Sequence, residues 1–165
     1  MSQVEIVKKI SNYLQVDAGN LSQNRDKVVT RTLDGATKVS GFSTVVSSLA
    51  GKFRNLEEEC LIRQWLEYCS LYVNPAVLNS NRSHLRILLE ELNDYLATRS
   101  YFVGNCLTLA DVAIFHSIGN SMESLQNADK EKFIHLSRWY DHLQHMDSVR
   151  QGLTLVNFSS LRIVR

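Results

Sequence analysis

The chain has 165 residues, 44% of them apolar and 21% charged, which is long enough to bury a core without disulfides or metal and far from the composition of a disordered chain. Lys plus Arg number 18 against 17 acidic residues, a formal charge of +1, so no global field draws it to a phosphate backbone and direct nucleic-acid binding is not expected. The amino-terminal "MSQVEIVKKISNYLQV" has no apolar core of signal-peptide length, and no run approaches the length of a membrane span. The three cysteines, Cys60, Cys69 and Cys106, lack Cys-x-x-Cys spacing, and two fall in apolar helical patterns. Buried thiols in a reducing compartment are expected, with the cytoplasm as location and the nucleus as a second one.

Along the chain, Val4, Val7, Ile10, Tyr13 and Leu14 predict a short amphipathic helix over 3–16, followed by a polar loop. "KVVTRTLDGATKVSG" carries a β-branched run, an Asp34-Gly35 turn signal and a second run from Thr37 to Val39, which together predict a hairpin. Ser40 or Ser43 is the expected cap of the next helix, with Phe42, Val45, Val46 and Leu49 as its stripe and Gly51 as its stop. The pattern then turns wholly helical. A boundary is expected at 51–55, dividing a small subdomain (1–50) from a helical one (56–165).

The 56–73 segment has two neighbouring apolar stripes, one of Ile62, Leu66, Cys69 and Val73, the other of Leu61, Trp65, Tyr68 and Tyr72. Either both pack internally or part of the second meets a partner. Pro75 is expected to end this helix. Leu85, Leu88, Leu89, Leu92 and Leu96 predict a helix over 82–98. A helix over 109–125, apolar nearly all round, belongs at the centre of a bundle. One long helix is expected over 129–146, burying Phe133, Leu136, Tyr140 and Leu143, then a short turn at "DSVRQGL".

Within "NCLTLADVAIF", Thr108 and Asp111 match a capping box, with Leu107 and Val112 placed as its hydrophobic staple. A lone carboxylate without a second acid or base is poor catalytic machinery, so the pair is read as structural. His135, Arg138, His142 and His145 share one side of their helix, and the arginine opposes a metal reading. A solvated polar face and a partner surface, with Arg138 beside Trp139 as anchor, both stay open. His116 is expected as a hydrogen-bonded core histidine, and Cys106 as a structural thiol. No phosphate loop, dinucleotide fingerprint or nucleophile elbow occurs.

"TLADVAIF" followed by "HLSRWYDHLQHM" resembles the helical half of the glutathione-transferase fold. "IRQWLEYCS", "LLEELNDYLATRSYFVGNCLTLADV" and "KFIHLSRWYDHLQHMDSVRQGL" resemble, more narrowly, the third-type aminoacyl-tRNA-synthetase-complex-interacting multifunctional proteins, a family also called elongation factor one epsilon-one. The resemblance implies an α+β, mostly α fold: a reduced thioredoxin-like N-terminal subdomain plus a glutathione-transferase C-terminal-like helical bundle. It also implies a non-enzymatic scaffold without cofactor or metal. Its implied partners are the transferase-like domains of methionyl-tRNA synthetase and glutamyl-prolyl-tRNA synthetase, with no membrane and no direct nucleic acid.

Two partner-binding surfaces are expected on this basis, one from Tyr68, Tyr72 and Val45, the other from Arg138, Trp139 and His142. Working transferases of this fold carry a Tyr, Ser or Cys after the first strand and a cis-proline before the hairpin strand. Here Val28-Val29 stands at the proline's place, and the first 26 residues read as helix and loop. Ser40 keeps the serine-like position before the next helix, but cannot rebuild the site alone. The rival readings are a structural subunit of an elongation-factor complex and an active glutathione transferase.

Overall fold

The computed structural model describes residues 1–33, 37–51, 53–78 and 82–158. Helix α1 (Gln3–Leu14) buries Ile6, Val7 and Ile10 completely, as its period requires. Its start is held by a capping box in which the Ser2 amide donates to Glu5 Oε2 at 2.6 Å and the Glu5 amide to Ser2 Oγ at 3.3 Å. The polar loop expected next contains a strand, β1 (Asn20–Gln23), so the expectation of helix and loop alone is corrected. Its side chains are mostly exposed and show no apolar alternation. Only pairing with a neighbour makes this segment a strand.

That neighbour is β2 (Val29–Leu33), which also pairs with β3 (Thr37–Ser40) in an antiparallel meander, Leu21 opposite Arg31 and Arg31 opposite Val39. The predicted hairpin is present, while Asp34 and Gly35 lie outside the described residues. Arg31 ties the sheet to its surroundings: Nε donates to the Ala18 carbonyl (2.9 Å), Nη2 to that of Asp17 (3.0 Å) and Nη1 to Ser48 Oγ (3.2 Å). Helix α2 (Phe42–Ala50) then packs Phe42, Val45, Val46 and Leu49 onto α1 and the sheet. Neither expected serine caps it. The cap is Gly41, at φ 98°, a conformation a side chain would strain, and its amide donates to the Val29 carbonyl at 2.9 Å.

Helix α3 (Leu56–Tyr68) starts on Asn55, whose Oδ1 accepts the Glu58 amide at 2.8 Å. A π-helical turn, Cys69–Val73, follows, and α4 (Asn74–Leu78) continues the chain past Pro75. The proline therefore does not end the helix. In the wider turn the Asn74 amide bonds back to the Cys69 carbonyl, and the register has shifted before Pro75, the residue with no N–H to give. Helix α5 (Arg82–Tyr95) runs into a 3₁₀ turn (Leu96–Thr98) and buries Leu88, Leu89, Leu92 and Leu96.

Helix α6 (Leu109–Ser124) lies at the centre, with Ala110 to Ile118 all buried, and touches α1, α3, α4 and the π-helical turn. Phe115 stacks on Tyr140 at 4.4 Å, and the Tyr140 hydroxyl lies 3.4 Å from where a Cβ on Gly119 would stand. An added Cβ there would stand in van der Waals contact with that hydroxyl. The single helix expected over 129–146 is two, α7 (Asn127–Lys132) and α8 (Ile134–Gln144), broken at Phe133. The break holds because Asn93 of α5 caps the new start, its Oδ1 accepting the amides of His135 (3.0 Å) and Leu136 (3.2 Å). Helix α9 (Asp147–Arg150) follows.

Beyond α9 the chain is strapped to the bundle. The Gln144 side chain takes the Val156 amide (2.8 Å) and donates to its carbonyl (3.0 Å), and Lys130 Nζ donates to the Asn157 carbonyl (3.1 Å). One hydrophobic cluster contains Ile6, Val46, Leu66, Leu92, Phe115 and Leu136 together, so the two ends of the chain share a core. Of the cysteines only Cys69 is buried, with Cys106 intermediate and Cys60 exposed, which corrects the expectation of a buried thiol at Cys60. Burial pushes the Cys69 thiol up to about 12, so it is inert at neutral pH. Ser117 Oγ donates to the Ala113 carbonyl at 2.8 Å, which leaves the Cys69 thiol, 3.0 Å away, as donor to Ser117.

Candidate functional site

The start of α6 joins three parts of the helical half through one side chain. Asp111 is wholly buried. Its Oδ1 accepts the Phe102 amide and the Trp139 indole N–H, both at 3.0 Å, and its Oδ2 accepts the Thr108 amide (3.0 Å) and hydroxyl (3.1 Å). Thr108 and Asp111 stand as a capping box, in which the Asp111 carboxylate takes both the amide and the hydroxyl of Thr108. Leu107 packs against the core and Val112 lies inside it. Burial pushes the Asp111 carboxyl above its ordinary range, and the four donated bonds pull against that. With these four donors on one carboxylate, Asp111 is a connector of the loop, the helix start and α8.

The first expected surface divides in two. Val45 is wholly buried, so it packs inside the chain and is corrected as a partner contact. Tyr68 is half-buried, donates its hydroxyl to Glu91 Oε2 at 2.8 Å and has Tyr72 beside it with ring centroids 5.3 Å apart. Burial and the neighbouring carboxylate push the Tyr68 phenol up. Tyr72 is 59% exposed, and Leu71 beside it is 63% exposed. The buried stripe of α3 is the one with Ile62, Leu66, Cys69 and Val73, while Leu61 is 40% exposed. So the second stripe is only partly used by the core. Leu71 and Ile87 extend this face and escaped the sequence reading: Ile87 was visible as the one aliphatic residue off the leucine stripe of α5, whereas the π-helical turn that sets Leu71 left no sequence signal.

The second surface also divides. Trp139 is 2% exposed, with its indole N–H on Asp111 and its ring 5.1 Å from Phe102. It is a core residue, which corrects its assignment as a partner contact. Arg138 is half-buried, and its Nη2 donates to the carbonyls of Leu96 and Arg99, each at 2.9 Å. One nitrogen thus caps the end of the α5 segment. His142 is exposed, with its Nε2 3.1 Å from the Tyr101 hydroxyl. Tyr101 is a member of this face that no helical pattern could reveal.

Among the described residues no cluster of His, Cys, Asp or Glu has metal-binding geometry. His116 departs from expectation: it is wholly buried, yet neither ring nitrogen has a partner of hydrogen-bond geometry among the described residues. Burial first, then the nearby Lys9 charge, lowers it from 6.5 to about 4, against a weak opposing pull from the Val149 backbone. The ring is neutral at pH 7.

Ser40 and Val29, the positions compared with working transferases, are both engaged within the fold. Ser40 Oγ lies 3.1 Å from Thr30 Oγ1 on the neighbouring strand. Val29, at the proline's place, is wholly buried in the core.

A family model described as nuclear-export cofactor Arc1p matches residues 58–147. A eukaryotic translation elongation factor 1 epsilon-1 from Cricetulus griseus is 29% identical over 172 residues, which cover 99% of this chain and 97% of that protein. A bifunctional glutamate/proline--tRNA ligase from Cricetulus griseus is 30% identical over 149 residues, 89% of this chain but 9% of the ligase. Among solved structures, a theta-class glutathione S-transferase from Xanthomonas axonopodis pv. citri superposes with a TM-score of 0.68 at 16% identity, covering 95% of this chain and 94% of the other. The last is a likeness of fold alone: a thioredoxin-like part joined to a helical transferase-type part, here with the first part reduced. With the family model matched over more than half of its length, the chain belongs to the Arc1p amino-terminal-like family and is a homologue of elongation factor 1 epsilon-1.

Proposed function

We propose that this chain is a non-catalytic scaffold subunit of the multi-aminoacyl-tRNA-synthetase complex. It holds the transferase-like domains of methionyl-tRNA synthetase and glutamyl-prolyl-tRNA synthetase on two faces, in the cytoplasm. The observation that supports this reading best is the likeness of nearly the whole chain to one small region of a glutamate/proline--tRNA ligase. The ligase carries a segment similar to this chain within a much longer protein, so a segment of this type is already part of a synthetase. The first face is built on Tyr68, Tyr72 and their exposed apolar neighbours. The second centres on Arg138 and His142, with Tyr101 beside His142. The name of the relative matched over nearly the whole chain, elongation factor 1 epsilon-1, supports the absence of catalysis.

Affinity purification of the tagged chain from its own cells tests the proposal. Methionyl-tRNA synthetase should co-purify, and its absence would overturn the synthetase reading. The names of the elongation-factor relatives favour one alternative, a structural subunit of an elongation-factor complex. Recovery of elongation-factor subunits without synthetases would establish that alternative. Calorimetry with glutathione should give no saturable heat.

A further inference from the structure

The outer face of α3, the π-helical turn and α5 has an apolar centre and an acidic rim. Leu71, Tyr72 and Ile87 are 63%, 59% and 56% exposed. They line a groove of about 290 Å³ together with Pro75, His84 and Glu91. Large aliphatic and aromatic side chains so exposed and so adjacent mark an interaction surface. The π-helical turn contributes directly, because it falls at Cys69–Val73, the stretch that carries Leu71 and Tyr72, and such turns recur where a helix serves binding.

Carboxylates lie close to this groove. Glu67 lies one turn before Leu71, Glu91 is in the groove wall, and Asp94 lies one turn beyond Glu91. Among the described side chains none of these three has a Lys or Arg within ion-pair distance. The cations next to them are engaged by other carboxylates: Arg63, one turn before Glu67, pairs with Glu59 of its own helix at 2.7 Å, and Arg86 with Asp129 of α7 at 3.4 Å.

We infer that this face docks a protein surface with an apolar ridge flanked by Lys or Arg, and that its occupant is not a second copy of this chain. Two copies meeting here would oppose carboxylate to carboxylate around a desolvated centre, an arrangement that costs association. A basic-rimmed partner neutralises Glu67, Glu91 and Asp94 as Leu71, Tyr72 and Ile87 leave water. The inference rests on the reading of this face as the first partner surface and specifies the chemistry of what binds there.

Two amphipathic helical peptides test it, alike in their leucine face but flanked by Lys and Arg in one and by Glu in the other. They are titrated into the full chain while the amide resonances of Leu71, Tyr72 and Ile87 are followed. The basic peptide should bind at least about tenfold more tightly at low salt, and that preference should shrink at high salt. Glu67→Lys with Glu91→Lys should reverse it. Glu91→Gln, which keeps an acceptor for Tyr68, should weaken it only in part, and circular dichroism checks that each variant is folded. Sedimentation of the chain alone should show a monomer. Equal affinity for the two peptides, shifts confined to other residues, or a dimer dispersed by Ile87→Ser would overturn the inference. Co-purification with methionyl-tRNA synthetase that survives Tyr72→Ala and Glu91→Lys would also sink it while leaving the scaffold reading in place. Selective binding of the basic peptide without any synthetase in the purification would do the reverse.

Discussion

Replacing Asp111 with alanine removes the acceptor for four donated hydrogen bonds at once. The Thr108 hydroxyl can rotate toward another acceptor, but the three N–H groups, from Phe102, Thr108 and Trp139, are fixed by backbone or ring. Each buried donor left unpaired costs about 1–3 kcal/mol, which brackets the loss at roughly 3–9 kcal/mol. Two effects pull toward the lower end: the buried carboxylate's own desolvation cost disappears, and water can enter the space the side chain leaves. The expected destabilisation is therefore about 3–5 kcal/mol, a large share of the roughly 5–15 kcal/mol that holds an ordinary domain together. At about 2–4 °C per kcal/mol for a chain of this size, Tm should fall by on the order of 10 °C. Thermal and urea unfolding read this directly, and near-ultraviolet circular dichroism should show Trp139 losing its fixed environment. Asp111→Asn retains one acceptor oxygen but turns an NH2 toward donors, so it should fall between. A midpoint for Asp111→Ala within error of the parent would refute the connector role.

Other consequences follow from single residues. His116 titrates from an ordinary 6.5 to about 4 in the fold, so the unfolded chain takes up the proton first. Stability from this group is whole above pH 6.5 and is lost as pH falls toward 4, by on the order of 3 kcal/mol. The stability difference between the parent and His116→Leu should therefore change with pH across that window, and a constant difference would count against it. Arg138→Ala should lower stability by about 1–3 kcal/mol through the freed carbonyls of Leu96 and Arg99, so binding to a transferase-like partner has to be compared well below the unfolding transition. Binding equal to the parent's would remove Arg138 from the second surface. Asn93→Ala should cost about 1–2 kcal/mol by uncapping α8, with faster amide exchange at His135 and Leu136; unchanged exchange there would show that the cap is not what starts α8. Gln144→Ala should free the strap at Val156 and make the chain more open to limited proteolysis after Leu153, and an unaltered cleavage rate would argue that Lys130 and Phe158 hold it alone.

Much of this architecture was legible along the chain. Helix periods found α1, α2, α5 and α6, the β-branched runs found β2 and β3, and the Thr108–Asp111 cap was readable because a capping box is a local pattern. Exposure was harder to read. Val45 and Trp139 carry the residue types of an interface, but whether an apolar side chain meets its own core or a partner depends on elements far away in sequence. Arg138 was identifiable as special on its helix, while its tie to Leu96 and Arg99 depends on how α5 ends against α8.

The sequence by itself determined the local elements and the core stripe, since period and capping act within a few residues. Tertiary structure alone decided the remainder, through contacts that span the chain. Strand β1 exists because β2 offers it a ladder, α7 and α8 separate because Asn93 on another helix accepts two amides, and the chain passes Pro75 because a π-helical turn shifts the bonding register. Asp111 shows both levels in one side chain: Thr108 lies three residues away and could be read in advance, whereas Phe102 and Trp139 reach it only when a loop and a distant helix fold onto the same carboxylate.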